Sequence, residues 1–346
     1  MKPNNHILSL IIFFISIFLC SCSKESTTPD TPKPPIKKSA FAKGADVSWI
    51  TELESKGIKF YDFDRKEKEC MDLLKSCGIN SIRLRVWVNP VDKWNNIDDV
   101  MIKARRANKL GLRIMIDFHY SDSWADPGKQ VTPKAWEKYG IEDLKKAVYN
   151  HTAELMSKLK ASNIEPEWVQ VGNETRGGML YPLGAYKNGK NYTDLTNAGY
   201  NAVKATFPKS KVIVHIDSGD NIYLYETIFN TLKTYGGKYD MIGMSLYPEV
   251  ATWKSMSDKC IANIKALSAT YGKDVMICEV GMSWDQAEAC KQFLSYLIEQ
   301  SKNNTNGKCA GIFYWEPESE PQYNGYTKGC FAKGTPTIAL DPFSIR

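Results

Sequence analysis

The sequence predicts a (β/α)8 TIM barrel that forms a single domain, and three observations support this prediction. From residue 41 onward, apolar strand-like runs alternate with amphipathic helical stretches. Eight such runs occur, at the spacing of repeated βα units. None of the early runs is followed by the Gly-rich phosphate turn that would favour the structural alternative, a doubly wound open sheet.

The predicted strands are apolar on both faces, as expected for a parallel sheet covered by helices. They span residues 41–48, 81–88, 113–120, 167–174, 211–218, 241–248, 274–280 and 311–317. Helical patterns span residues 62–76, 97–110, 133–161, 193–206, 223–235, 257–271 and 285–301. Only residues 318–346 follow the last strand, and they are rich in Gly, Pro and Tyr. We therefore expect the last helix to be short or missing.

The N-terminal segment has the pattern of a targeting signal. Lys2 precedes an apolar run, residues 7–19, that is too short for a membrane span. The run ends in Leu19-Cys20-Ser21-Cys22, which resembles a bacterial lipoprotein signal cleaved before Cys22; an ordinary secretory signal is the alternative. The sequence thus predicts a signal peptide over residues 1–21, a disordered Ser/Thr/Pro/Lys tether over 22–40 and the barrel over 41–346. A lipid on Cys22 would make the protein an exported lipoprotein, anchored at the outer membrane and facing the cell surface.

Composition and charge favour a neutral partner. The formal net charge is +6, but acidic and basic residues are interspersed, and no nucleic-acid motif occurs. Seven of the nine cysteines lie beyond Cys22, none at metal-ligand spacing, so we expect mostly buried structural thiols and no metal. A bridge between Cys309 and Cys330 is left open. Nothing in the sequence indicates a redox cofactor or a nucleotide, and we expect a monomer.

Polar and aromatic residues end the predicted strands in succession. In a barrel of this kind the carboxyl ends of the strands carry the chemistry. A buried charge without partners costs several kcal/mol, so a purely structural interior would rarely hold such a set. The candidates at these ends for binding a substrate are Asp46, Arg83, Arg85, His119, Asn173, His215, Tyr247 and Trp315.

Two glutamates, Glu174 and Glu279, lie at the carboxyl ends of the fourth and seventh predicted strands. Two carboxylates placed there are the groups that retaining glycoside hydrolysis needs, one ionised to attack the anomeric carbon and one protonated to protonate the leaving oxygen. The negative charge of one discourages ionisation of the other. Arg83 or Arg85, together with Tyr247, could keep Glu279 ionised.

Neighbouring residues fit the same chemistry. The amide of Asn173 could hold the 2-hydroxyl of the sugar, and Trp315 could stack on the apolar face of a sugar ring.

Several segments resemble one family in particular. They are Lys43-Gly-Ala-Asp46-Val-Ser, Ile82-Arg-Leu-Arg85-Val-Trp87-Val-Asn-Pro, Asp117-Phe-His119-Tyr-Ser-Asp122-Ser-Trp124-Ala-Asp126-Pro-Gly-Lys-Gln130, Gln170-Val-Gly-Asn173-Glu174 and Phe313-Tyr-Trp315-Glu316-Pro. Together they resemble the arabinogalactan endo-β-1,4-galactanases of glycoside hydrolase family 53, over about residues 43–342.

The resemblance implies a general acid/base at Glu174 and a nucleophile at Glu279. It also implies hydrolysis of β-1,4-galactan, a neutral pectic side chain, to galacto-oligosaccharides with retention of configuration. Trp124, Asp126 and Gln130 become candidate sugar-binding residues in the loop after the third strand. Some bacterial relatives carry a calcium-binding insertion after the seventh strand, whereas this chain continues directly into a helical pattern, so we expect no calcium site.

Two alternatives remain open from the sequence. Another retaining clan member could act on β-mannan, β-glucan or a β-galactoside with the same two carboxylates. A surface lipoprotein could instead bind glycan without cutting it, but such a protein would not need both Glu174 and Glu279.

Overall fold

The structure is a computed structural model that describes residues 40–344. The predicted signal peptide, Cys22 and residues 22–39 of the predicted tether lie outside the described residues. Among residues 40–344, no helix is long and apolar enough to cross a bilayer.

Eight parallel strands form a closed barrel, in which each strand pairs with the next barrel strand along the chain and the last pairs with the first. This confirms the predicted (β/α)8 fold. The barrel strands are β1 (Ala42–Asp46), β4 (Ser81–Val86), β5 (Arg113–Phe118), β6 (Trp168–Val171), β7 (Lys211–Ile216), β8 (Met241–Leu246), β9 (Asp274–Val280) and β10 (Cys309–Trp315). Two short hairpins lie outside the barrel, formed by β2 (Phe60–Tyr61) with β3 (Glu67–Lys68) and by β11 (Phe331–Ala332) with β12 (Thr335–Pro336).

The barrel interior has an apolar layer below a polar one. The apolar layer is a small buried cluster of side chains: Ala42, Met115, Trp168, Ile213, Met241, Met276, Cys278 and Phe313. Further along the same strands, buried polar side chains replace them: Asp46, Arg83, Asp117, Gln170, His215 and Ser245. The polar layer therefore lies toward the carboxyl ends of the strands, where the chemistry of such barrels takes place.

Helices cover the outside of the barrel. They are α1 (Ile50–Ser55), α2 (Cys70–Ser76), α3 (Ile97–Lys109), α4 (Ile141–Ala161), α5 (Gly189–Thr206), α6 (Ile222–Thr234), α7 (Trp253–Tyr271), α8 (Ala287–Asn303) and α9 (Asp341–Ser344). Their buried faces follow helical spacing, as in α8, where Cys290, Phe293, Leu294 and Leu297 are buried. Asn96 caps α3 by accepting a hydrogen bond from the Asp99 amide.

The structure differs most clearly from the sequence prediction in three helical stretches. No helix is predicted where α1 (Ile50–Ser55) lies. Residues 62–76 were predicted as one helix, but they begin with part of the β2–β3 hairpin, and α2 starts only at Cys70. Residues 133–161 contain a short 3-10 turn, Lys134–Trp136, and then α4 from Ile141. The final helix, α9, is short, as predicted.

The seven cysteines of the described residues are all free and buried. The possible bridge between Cys309 and Cys330 is therefore not formed in this structure. Burial raises the pKa values of the Cys260 and Cys278 thiols, which keeps them protonated at neutral pH.

Candidate active site

A cleft of about 450 Å³ lies at the carboxyl ends of the barrel strands. It brings together most of the strand-end residues that the sequence singles out. The side chains that line it include His119, Trp124, Asp126, Asn173, Glu174, Ser245, Tyr247, Glu279, Trp315 and Tyr326.

Glu174 and Glu279 meet in this cleft. A carboxylate oxygen of each lies within 4.8 Å of the other and of a ring nitrogen of His215. Glu174 follows β6 with a left-handed backbone (φ 46°), which non-glycine residues adopt rarely and mostly where the surrounding structure imposes it. A separation of this order leaves no room for a water between the carboxylates and is typical of retaining glycosidases.

A β-bulge directs Glu279 into the cleft. Met276 and Cys278 face the barrel interior, whereas Ile277 and Val280 belong to the outer core. Strict alternation would therefore turn the side chain of Glu279 outward. The register between β8 and β9 shifts after Met244, so that Ser245 pairs with Glu279. The extra residue on β9 re-aims the glutamate, which is a known role of bulges near active sites.

Arg83 organises the polar layer below the two glutamates. Its fully buried guanidinium contacts three carboxylates, Asp46 (2.7 Å), Asp117 (2.9 Å) and Glu279 (2.8 Å). It also donates to the amide oxygens of Gln170 (2.6 Å) and Asn173 (3.0 Å). The sequence left open which arginine serves Glu279, and the structure assigns that contact to Arg83.

The surroundings separate the two glutamates in acidity. Burial and the negative charge of Glu279 raise the pKa of Glu174 well above its usual value. Burial also raises the pKa of Glu279, but the Arg83 cation and the Tyr247 hydroxyl, 2.8 Å from Oε2, oppose that rise. Glu279 therefore ionises first, while Glu174 keeps its proton.

His215 and Ser245 support Glu174 from below. Ser245 Oγ lies 2.6 Å from Glu174 Oε1 and 2.8 Å from His215 Nε2. Glu174, His215 and Glu279 offer three closely spaced ligand atoms, a group that could in principle hold a metal ion. These atoms are already engaged by Ser245, Arg83 and Tyr247, so we interpret the group as acid/base machinery.

Arg85 lies apart from the glutamates, below an aromatic floor. Its guanidinium carbon is 4.1 Å from the ring centroid of Trp124, and three more indoles, Trp87, Trp49 and Trp315, lie within 6.0 Å. Nη1 contacts Glu316 at 3.2 Å, whereas Nε and Nη2 have no hydrogen-bond partner among the described residues. The cation thus supports the tryptophans through cation–π contacts rather than touching the cleft itself.

The chain is similar to known proteins. The profile of Glycosyl hydrolase family 53 matches residues 42–291. The chain belongs to glycosyl hydrolase family 53. It is 32% identical over 306 residues to the endo-beta-1,4-galactanase of Bacillus subtilis, covering 80% of this chain and 70% of that protein. It is 35% identical over 298 residues to a probable arabinogalactan endo-beta-1,4-galactanase A of Neosartorya fischeri, covering 80% of this chain and 83% of that protein.

Solved structures agree. A fungal beta-1,4-galactanase superposes with a TM-score of 0.80 at 27% identity, covering 87% of this chain and 98% of that one. A family 53 catalytic domain from Ignisphaera aggregans gives a TM-score of 0.80 at 29% identity, covering 90% and 98%. The resemblance inferred from the sequence is confirmed.

Not every residue predicted to bind sugar in this family 53 protein faces the cleft. Trp124, Asp126, Asn173, Tyr247 and Trp315 line it. His119 lines it too, but its ring is held from behind, by Asp117 at 3.0 Å from Nε2 and by the Ala125 amide at 3.1 Å from Nδ1.

Four of the predicted residues lie behind the cleft surface. Asp46, Arg83, Arg85 and His215 are fully buried in the polar layer. Gln130 is also buried, and its amide nitrogen donates to the backbone oxygens of Asp126 and Asn173. Asp46, Arg83, His215 and Gln130 use their polar atoms within the protein, so we assign them a positioning role in place of the predicted sugar contact. Arg85 instead contacts the indole rings and does not line the cleft.

Sequence reasoning missed Ser245 and the rim of the cleft. A serine inside the buried apolar strand Met241–Leu246 was the available signal for Ser245. Tyr326, which lines the cleft and donates to the Trp315 carbonyl oxygen at 2.9 Å, lies in a loop without periodicity. Arg176 and Asp217 form a rim ion pair at 3.1 Å, which their spacing in the sequence does not reveal.

Tyr247→Phe is expected to shift one limb of the pH profile. Losing the hydroxyl removes a hydrogen bond that lowers the pKa of Glu279, so that pKa rises and the acid limb of kcat/KM moves to higher pH. The maximal kcat/KM should fall about 10-fold to 100-fold, because a charge-assisted bond to the reacting carboxylate is lost. The measurement is kcat/KM against pH.

Tyr326→Phe is the matched control. It also removes a cleft tyrosine hydroxyl, but one that bonds a backbone oxygen rather than Glu279. Its acid limb should stay in place. An unmoved acid limb in Tyr247→Phe would contradict the assignment of that limb to Glu279.

Proposed function

We propose that this family 53 enzyme cleaves β-1,4-galactan internally and with retention of configuration, releasing galacto-oligosaccharides. The observation that carries the proposal is the pair of carboxylates within 4.8 Å, of which only Glu279 is bonded to a cation. The galactanases named above, which are identical to it at about a third of the aligned residues, support galactan as the substrate. No cofactor takes part in this chemistry.

The first step forms a glycosyl-enzyme. The ionised Glu279 attacks the anomeric carbon as the glycosidic C–O bond breaks, and Glu174 gives its proton to the departing sugar oxygen. Arg83 and Tyr247 hold the Glu279 carboxylate in one orientation for that attack. In the second step Glu174, now ionised, takes a proton from water, and the water oxygen displaces Glu279 from the sugar.

Asn173 and the indoles position the substrate. One amide proton of Asn173 is donated to the Ala125 carbonyl oxygen at 2.9 Å, and its Oδ1 accepts from Arg83. The second amide proton remains for the sugar 2-hydroxyl, a bond that strengthens toward the transition state. Trp124 and Trp315, half-buried in the cleft, offer ring surface to the apolar faces of the sugars.

Two further parts of the proposal come from the sequence alone. Cys22 carries the lipid that anchors the protein at the outer membrane, and the protein acts as a monomer. Incorporation of a labelled fatty acid that persists in Cys22→Ser would refute the anchor, and light scattering that gives twice the chain mass would refute the monomer.

Glu279→Gln should abolish turnover of linear β-1,4-galactan, because the amide keeps the shape of the side chain and loses the attacking charge. Binding of galactan should remain. Glu174→Ala should lose activity on the polymer and recover part of it on an activated aryl galactoside, since a good leaving group needs less protonation. The measurement is reducing-sugar release from galactan, with mannan and a soluble β-glucan alongside.

The possible results separate the hypotheses. Oligosaccharides released from galactan alone, and lost in Glu279→Gln, would establish substrate and nucleophile together. Cleavage of mannan or glucan instead would keep the two carboxylates and overturn the substrate. Near-normal activity of either variant on galactan would overturn the assignment of the carboxylates.

A further inference from the structure

A second cavity, larger than the catalytic cleft, lies between the start of α3 and the exposed face of α4. We call it the α3–α4 groove; its volume is about 640 Å³. Its wall includes Asn89, just beyond the carboxyl end of β4, so it opens near the same end of the barrel as the cleft. The backbone amide of Asn89 donates to the Asp122 carboxylate at 2.9 Å, which connects this wall to the loop that carries Trp124.

The groove presents groups that suit a hydroxyl-rich ligand. Tyr139 is 41% exposed and lies beside the more buried Trp136. The side-chain amides of Asn89 and Asn150 are exposed and make no hydrogen bond to the described residues. An exposed aromatic ring next to free amides is a combination found in binding sites for ring-shaped polar ligands.

A buried histidine adds an unpartnered polar atom to the wall. His151 packs against Trp136 with ring centroids 6.0 Å apart, and its Nε2 has no partner among the described residues. Burial lowers the pKa of His151 to about 4, so its ring is neutral at neutral pH. A buried polar group of this kind is usually satisfied by a partner, and none of the described residues supplies one to this atom.

The charges of the groove are paired with one another. Lys158 contacts Asp98 at 2.8 Å and Glu154 at 3.5 Å, and Lys146 contacts Asp143 at 3.0 Å. Because each lysine already has an acidic partner, the wall offers little excess charge to attract an ion. A neutral ligand therefore fits better than an anionic one.

We propose that the α3–α4 groove is a second, non-catalytic binding site for a neutral polysaccharide. The inference rests on the proposed function in one respect, since the ligand is the polymer that the cleft cleaves. A chain held in the groove would raise the effective concentration of its other segments at the cleft.

The test compares Tyr139→Ser with Tyr149→Ser. Both tyrosines are similarly exposed in or near α4, but Tyr149 lies outside the groove. KM for polymeric galactan should rise about threefold to tenfold in Tyr139→Ser, from loss of one ring contact, and stay unchanged in Tyr149→Ser. kcat, and all kinetics on galactotetraose, should match the wild type in both. Asn150→Ala provides a second groove variant with a smaller expected effect.

An unchanged polymer KM in both groove variants would overturn the proposal. A KM that rises equally for polymeric galactan and for galactotetraose would also overturn the proposal, because the substitution would then be affecting the cleft itself. If the wild type cleaves a different polysaccharide, the proposed function fails, and the same comparison on that polysaccharide still tests the groove. Migration of the protein through gels that contain polygalacturonate or galactan tests for an anion site. If polygalacturonate but not galactan slows the wild type, and Tyr139→Ser is not slowed, the groove binds anions and the proposal is overturned.

A second inference comes from the surroundings of His215. Its Nδ1 lies 2.9 Å from Gln170 Nε2, a donor, and 3.0 Å from Asn173 Oδ1, an acceptor. Both amide orientations are fixed, because Gln170 Oε1 accepts from Arg83 and Asn173 Nδ2 donates to the Ala125 carbonyl oxygen. Nδ1 can therefore be satisfied with or without a proton.

The other ring nitrogen is linked to the general acid through Ser245. When Glu174 is ionised, Ser245 donates to it, and His215 Nε2 must carry the ring proton to donate to Ser245. When Glu174 is protonated, it donates to Ser245, which donates to an unprotonated Nε2, so the ring proton lies on Nδ1. The ring carries one proton in both cases, and Asn173 or Gln170 satisfies Nδ1.

We infer that the tautomer of His215 follows the protonation of Glu174, which makes His215 a positioning residue for both halves of the reaction. Either form leaves Glu174 with a directed hydrogen bond. The charged and titratable groups that face the hydrogen bonds between Glu174, Ser245 and His215 are Glu279, Asp217, Arg83, Asp117 and His119. Burial and Arg83 lower the pKa of His215 well below its usual value, so the ring itself does not titrate in the range where Glu174 does.

Nitrogen-15 NMR of the imidazoles tests this inference, and the chain has only four histidines to assign. The basic limb of kcat/KM is the pH range in which Glu174 loses its proton. As pH rises through that range, Nε2 of His215 should change from an unprotonated to a protonated nitrogen, and Nδ1 should change in the opposite sense. In Glu174→Gln, which cannot titrate, both signals should be independent of pH. Signals that stay constant across the basic limb in the wild type, or that change equally in Glu174→Gln, would overturn the inference.

Discussion

The buried guanidinium of Arg83 is the interaction on which the rest of the site depends. It uses Nε and both terminal nitrogens to bind side chains from β1, β5, β6 and β9 and from the turn after β6. One cation facing three carboxylates leaves the polar layer with excess negative charge. That excess helps to keep Glu174 protonated, while direct contact with the cation favours ionisation of Glu279. The same residue thus supplies both the architecture and the difference in acidity.

Several residues that follow the barrel strands adopt an uncommon backbone conformation. Tyr120, Glu174, Ser218 and Glu316 follow four different barrel strands, and all four have left-handed φ values between 46° and 53°. Residues other than glycine adopt this conformation where surrounding contacts outweigh its cost. At Glu174 the hydrogen bond to Ser245 and the Thr175 amide donation to the His215 carbonyl oxygen at 2.9 Å hold the turn. The rigid barrel therefore stabilises conformations that an isolated strand end would not keep.

The barrel and the two glutamates could be predicted because their signals are local. Apolar strands covered by helices have a periodicity that depends on burial alone, and Glu174 and Glu279 directly end two such runs. Residues 62–76 misled the prediction, because their charged residues fit a hairpin and a helix equally well. The roles of Gln130 and Arg85 depend on which side of a loop or strand faces the cleft, and Glu279 faces it only through a bulge. Such orientations are decided by tertiary packing, which no short sequence window contains.

The indoles around Arg85 have an optical consequence. Four of the nine tryptophans surround one buried cation, and two of these four, Trp124 and Trp315, also form the wall of the cleft. Indole emission responds to the polarity and charge around the ring, so a sugar bound in the cleft should change the emission of Trp124 and Trp315. Binding of substrate in the cleft can thus be followed by tryptophan fluorescence, without any attached label.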